Sequence, residues 1–309
     1  MKRNAIARII IWSVTAFILI GILSSAIIFK NNWLSELTNN GISFGTMGSK
    51  YLDSDKYTVG GGSVIDDVDS LEINWIDGKI NVEAYDGDTV EISETSVKDS
   101  DDELRYYCNN GKLIIQYRVS GVSFGVTKSL KKELTVKIPA SVAAGLNELK
   151  IDSSSADISV SDMSFTKQLE LDNVSGSIRL SNVKAAKTDI DNVSGRIKAE
   201  YFVTDSLSVD TISGDAEFKG EIGKIESDSV SGELKVESAI MPISADCESV
   251  SGNISFKLPD EGITLEFDSV SGDISGNVGF VKKGEKRFYR NGGAEFIIDT
   301  TSGDFNIEI

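Results

Sequence analysis

One acidic residue recurs through the second half of the chain at nearly fixed intervals: Asp152, Asp172, Asp191, Asp210, Asp228, Glu248, Asp268 and Asp299. Carboxylates carry out acid–base hydrolysis and coordinate calcium, so this row is the first place to look for chemistry. Four residues after each acid stands a small residue: Ala156 in the first copy, then Gly176, Gly195, Gly214, Gly232, Gly252, Gly272 and Gly303. A catalytic pair must stand out from its surroundings at acid–base or nucleophile spacing. These acids are all alike, and none does. A calcium ion takes about six to eight oxygens, so one carboxylate per repeat suffices only if neighbouring repeats share an ion. The nonapeptide glycine–aspartate pattern of calcium-binding β-rolls is also missing.

The remaining candidates are few. The chain has no histidine, which excludes His-ligated metals, Ser-His-Asp triads and His-based pH switches. Residues 99–103 (D-S-D-D-E) lack the central glycine of a calcium loop and read as a solvated turn. Gly60-Gly61-Gly62 lacks the Lys-Ser/Thr of a phosphate loop. Lys282, Lys283, Lys286, Arg287 and Arg290 form a basic group within residues 277–296. That segment reads as an excursion that caps the open edge of a sheet, or as a contact loop for lipid headgroups or an acidic partner. The two cysteines, Cys108 and Cys247, are too few for a disulfide scaffold, and Cys247 falls in a core slot. No cofactor or metal is expected.

The acids are positioned by a repeat. From Ala156 to Gly272 the small residues are 20, 19, 19, 18, 20 and 20 residues apart, and the last step is 31. A fixed period near twenty marks a solenoid. Numbered from the glycine, five columns are mostly apolar: seven before (Leu149, Leu169, Leu207), five before (Ile151, Leu171, Ile190), two before (Val174, Val193, Ile212), two after (Ile158, Ile178, Ile197) and four after (Val160, Leu180, Phe218). Period-two alternation predicts strands with one face inward. The odd step from five before to two before predicts a bend at the acid, where an aspartate accepts backbone hydrogen bonds and the glycine relieves crowding. Each unit should supply two short strands joined by an Asp-x-x-Ser-Gly corner. Eight units stacked at about 4.8 Å would extend about 35–40 Å. The fold class expected is all-β, a β-solenoid preceded by one transmembrane helix. Residues 149–309 should be its regular part and residues 63–148 irregular N-terminal β coils.

Residues 9–29 carry no charge and, at 1.5 Å per residue, span about 30 Å as a helix, the thickness of a bilayer core. Lys2, Arg3 and Arg8 precede them, so residues 1–8 should stay cytoplasmic and the rest should lie outside the cytoplasm. Cleavage near Ser24-Ser25-Ala26 is the competing reading, but the apolar run continues past it through Phe29. Residues 30–62 read as a juxtamembrane stalk. The formal charge is −17; residues 1–30 hold four cations and no acid, which leaves −21 on the remainder. A domain so negative repels nucleic acid.

The repeated L-x-[ILV]-D-x-V-S-G-x-I motif, the L-E-I-N-W-I-D-G-K-I-N-V and L-T-V-K-I-P stretches and the closing N-G-G-A-E-F-I-I-D-T-T-S-G-D-F-N-I-E-I resemble the DUF4097 adhesin-like β-strand-repeat family over about residues 71–309. With an N-terminal anchor, the chain is similar to the LiaG-like envelope proteins of Gram-positive bacteria. The resemblance implies a β-solenoid outside the membrane and supplies no catalytic residues. The expectation is a non-catalytic, membrane-anchored scaffold or adhesin-like module. It would have an envelope-protein or cell-wall partner and a link to envelope stress. The alternatives are a polysaccharide-active β-helix enzyme and a cation-binding surface protein.

Overall fold

The computed structural model describes residues 51–309 apart from 52, 66, 96 and 120–129. The expected membrane segment at residues 9–29 lies outside the described residues. Among those described, no helix is long and apolar enough to cross a membrane. Among the described residues the helices are one 3-10 turn, Ser54–Lys56, and one short α-helix, Ala140–Ala143. Most of the other described residues are in strands.

The strands stack as rungs of a parallel solenoid. On the first side, strand segments that end at the corner pair in register, so that Leu207 lies between Thr188 and Ile225. On the second side, segments that follow the glycine do the same: Ile178, Ile197, Ala216, Leu234 and Ile254 lie in line. The four columns seven and five before, and two and four after, the glycine are buried along nearly their whole length. Each buried Leu or Ile contributes roughly 1.5–3 kcal/mol, but only when a neighbouring rung covers it.

Three features differ from the sequence expectation. First, the units between residues 146 and 222 have a third short strand segment. Met163 and Phe165, Val183 and Ala185, and Phe202 and Thr204 pair across rungs and close the cross-section. Second, the L-E-I-N-W-I-D-G-K-I-N-V stretch, within Ser70–Tyr85, is itself a copy of the repeat. Its Gly78 pairs with Ala156 and its Leu71 with Leu149. Third, the rungs at both ends are out of sequence order. The strands Lys112–Gln116 and Glu133–Pro139 stack outside Ser70–Tyr85, which itself lies against Leu146–Ser175. At the other end, Ala294–Thr300 and Phe305–Glu308 insert between the units at 244–257 and 263–276. Ten rungs result, about 43 Å long at 4.8 Å per step.

The outer edges are covered by antiparallel strands, which blunt an otherwise open template for pairing. Arg105–Asn109 pairs with Lys112–Gln116, and Val90–Glu94 with Glu133–Pro139. The expected excursion is a hairpin of Val281–Lys283 and Lys286–Tyr289 lying along Ile263–Ser269.

Candidate functional site

The corner is built differently from the expectation. Alternation continues one step further than the apolar pattern suggests, so the residue three before the glycine faces inward. Ser153, Asn173, Asn192, Thr211, Ser249 and Thr300 are all buried there. Their side chains close the turn. The Ser153, Ser249 and Ser269 hydroxyls accept from the amides of Ala156, Gly252 and Gly272 at 3.1, 2.8 and 2.6 Å. The Asn173 and Asn192 amides donate to the carbonyls of Gly176 and Gly195 at 3.3 and 3.1 Å, and the Thr300 hydroxyl to that of Gly303 at 2.8 Å. The bend lies between this residue and the glycine. Asp172, Asp191, Asp210, Asp228, Glu248, Asp268 and Asp299 therefore stand outside the corner rather than forming it. The valine column two before the glycine, expected in the core, is half-exposed.

The glycines keep the role expected of them. A Cβ on Gly195 would lie 2.1 Å from the carbonyl oxygen of Gly176, and one on Gly214 would lie 2.2 Å from that of Gly195. The same collision recurs at Gly176, Gly232, Gly252, Gly272 and Gly303. The serine after the valine ties rungs together: Ser194 and Ser251 donate to the carbonyls of Val174 and Val230 in the rung before.

The outward face of the first side is the acidic ladder. Asp172, Asp191, Asp210, Asp228, Glu248, Asp299 and Asp268 lie in register at the interstrand spacing. Burial and then the neighbouring carboxylates push Asp210 up to about 7 and Asp191 and Asp299 up to about 6; Asp228 and Glu248 are raised by the same causes. At the start of the ladder Lys150 lies between Asp152, Glu170 and Asp172, 3.6 Å from Asp152 and 3.5 Å from Asp172. Burial works against the Lys150 charge, but those carboxylates outweigh it and raise its pKa. Among the described residues no cluster of three or more potential ligands has the geometry to hold a metal ion.

The basic group is largely committed to the fold. Lys286 pairs with Glu266 at 2.7 Å, Arg290 pairs with Asp260, and Arg287 donates to the Phe267 carbonyl at 3.2 Å and lies over its ring. Lys282 and Lys283 are exposed beside the hairpin tip. Lys286, Arg287 and Arg290 therefore clamp the hairpin onto the last rung, and Lys282 and Lys283 do not.

The N-terminal end holds a polar group that sequence reasoning missed. Lys132 occupies the glycine column of the outermost rung, and its side chain is fully buried. Its ammonium contacts Glu94 at 2.6 Å, donates to the carbonyls of Asp102 and Tyr117, and lies 4.9 and 4.3 Å from the Trp75 and Tyr117 ring centres. Burial lowers the Lys132 pKa and Glu94 opposes that shift. The Tyr117 hydroxyl donates to buried Asp77. With its donors engaged and no exposed surface, Lys132 is a plug for the end of the core.

These features define a parallel β-solenoid with hydrogen-bonded corners and an acidic outer face. The family described as Toastrack DUF4097 matches residues 68–308, and the chain belongs to it. No curated protein matches the chain. Among solved structures, a "putative cell adhesion protein" from Clostridium sporogenes aligns at 12% identity over 82% of this chain and 99% of its own, with a TM-score of 0.28. A "putative adhesin" from Bacteroides fragilis aligns at 9% identity over 82% and 97%, with a TM-score of 0.45. A "putative lipid binding protein" from Parabacteroides distasonis aligns at 15% identity over 81% and 96%, with a TM-score of 0.42.

Proposed function

We propose that the protein is a non-catalytic, adhesin-like module of the cell envelope, held by an N-terminal membrane anchor and linked to the envelope stress response. Its solenoid lies outside the cytoplasm and presents a rigid side to a wall polymer or another envelope protein. The observation that carries this reading is how the repeated polar residues are used. Serine, asparagine and glycine hold the corners, and what remains outward is a regular, in-register array. Such an array suits extended contact better than it suits a single reacting centre.

Protease shaving of intact cells, followed by blotting of the full-length chain, tests the reading. The expected result is loss of residues 51–309 without lysis, with a protected fragment retaining residues 1–29. Protection of the whole chain until lysis would refute the topology, and a mature chain lacking about its first 26 residues would refute the anchor.

A further inference from the structure

In three successive copies the second corner of the repeat, six residues after Ala156, Gly176 and Gly195, is left-handed. Asp162 and Asn182 occupy it at φ 59° and 53°, and the Asn182 amide donates to the Asp162 carboxylate at 2.7 Å. Asp and Asn tolerate that conformation because their short polar side chains bond locally. The next copy places Tyr201 there, at φ 53° and 79% exposed. A bulky aromatic gains nothing local in this backbone, and its ring lies in solvent instead of the core. A strained position of this kind points to use.

Beside Tyr201 runs a groove of about 530 Å³. Its floor includes Gly220, where a Cβ would lie 1.7 Å from the Phe202 carbonyl oxygen, so the backbone there must stay bare. Leu258 and Pro259 also line it. Along it, successive rungs contribute Glu200, Lys219, Glu237 and Lys257, whose charges alternate and cancel. Lys257 pairs with Glu237 at 2.9 Å, and Lys219 stands 3.7 Å from Glu237.

We propose that this groove is a saccharide subsite that takes a short run of neutral sugar rings. The inference rests on the reading of the protein as a surface-binding module. An exposed ring offers a flat platform for the apolar face of a pyranose. The alternating carboxylates and ammonium groups supply acceptors and donors for its hydroxyls at each rung. A polyanion would meet a groove without net charge on a domain at −21, and a polycation would find every carboxylate there already faced by a lysine.

The test uses the full-length chain in detergent, with cello-, manno- and chitohexaose as neutral probes and hyaluronan hexasaccharide as the anionic control, read by calorimetry. Wild type and Tyr201→Phe should bind at least one neutral probe, and Tyr201→Asn should lose at least tenfold in affinity. Tyr201→Asn puts there the residue type of Asn182, so its Tm should rise by roughly 2–4 °C. Equal binding by Tyr201→Asn and wild type, or preference for hyaluronan, overturns the proposal. So does an unchanged or lower Tm in Tyr201→Asn. If no neutral probe binds while the chain still sediments with purified envelopes, the subsite is refuted and the surface reading stands; if neither occurs, both fail.

Discussion

Replacing Gly195 by alanine asks whether the corner column is as intolerant as its geometry implies. Two penalties act. The backbone at φ +131° is one that side chains rarely adopt, worth about 1–3 kcal/mol. The new methyl would also meet the Gly176 carbonyl oxygen at 2.1 Å, and that partner is backbone and cannot rotate away. Separating the rungs enough to admit it is an overpacking cost of about 1–3 kcal/mol. Together they come to about 4 kcal/mol, a fall of roughly 8–16 °C in Tm for a domain of this size. Gly214→Ala separates the terms. Its φ is ordinary while its methyl would lie 2.2 Å from the Gly195 oxygen, so about half the loss is expected. Gly279→Ala is the control, with nothing within 4 Å of the added atom. Thermal unfolding by circular dichroism reads all three. A Gly195→Ala loss under about 1 kcal/mol would mean that the rungs shift freely and that the column is not fixed by close approach.

The acidic ladder predicts a stability that falls as pH rises. Asp191, Asp210 and Asp299 have folded values near 6, 7 and 6 against an ordinary 3.8, so between these limits the folded chain binds more protons than the unfolded one. Their stabilising effect is full below about pH 4 and is lost by about pH 7. The urea midpoint should therefore be higher at pH 5 than at pH 7.5, with a smaller difference in Asp210→Asn; a higher midpoint at pH 7.5 would contradict the ladder. Lys132→Met would leave Glu94 buried without its partner, at a cost of about 3–5 kcal/mol, and Lys132→Met/Glu94→Leu should recover most of it. A single variant within about 1 kcal/mol of wild type in urea would show that the pair does not hold the end of the core.

The inward columns seven and five before and two and four after the glycine were legible because burial there depends on apolar side chains at period two. The corner differs from the expectation because Val174 and its equivalents look like core residues while Asn173 and Asn192 look like surface. Inside a turn the ranking reverses: the backbone needs hydrogen-bond partners, and a small polar side chain supplies them from within. The signal was present, since Ser, Asn or Thr fills that position from Ser153 to Thr300 in every copy. The third side was harder, because Met163, Phe165, Val183 and Ala185 form an inward pattern too short to announce a strand. Lys132 was hidden by its type, since a lysine beside Lys131 reads as solvated charge. The Tyr201 corner was visible only once the left-handed backbone of its siblings was known.

The order of the rungs has a consequence for what the solenoid can present. In a simple stack the outermost rung is a chain end, with one neighbour, and it frays first. Here neither outermost rung is an end. The outer rung at one extreme follows Ser70–Tyr85 and precedes Leu146–Ser175, and both of these lie inside it. At the other extreme residues 263–276 are outermost, while the last strands, Ala294–Thr300 and Phe305–Glu308, lie one rung further in. Asn277 then clasps the backbone of Ile309, accepting from its amide at 2.9 Å and donating to its carbonyl at 3.0 Å. Opening an outer rung must therefore release an internal loop held at both ends, which gains less chain entropy than freeing a tail of the same length. The ends are further covered by the Lys132 plug and the Val281–Tyr289 hairpin. A stack closed in this way keeps its middle rungs in register, and those rungs carry most of the acidic ladder and the Tyr201 groove.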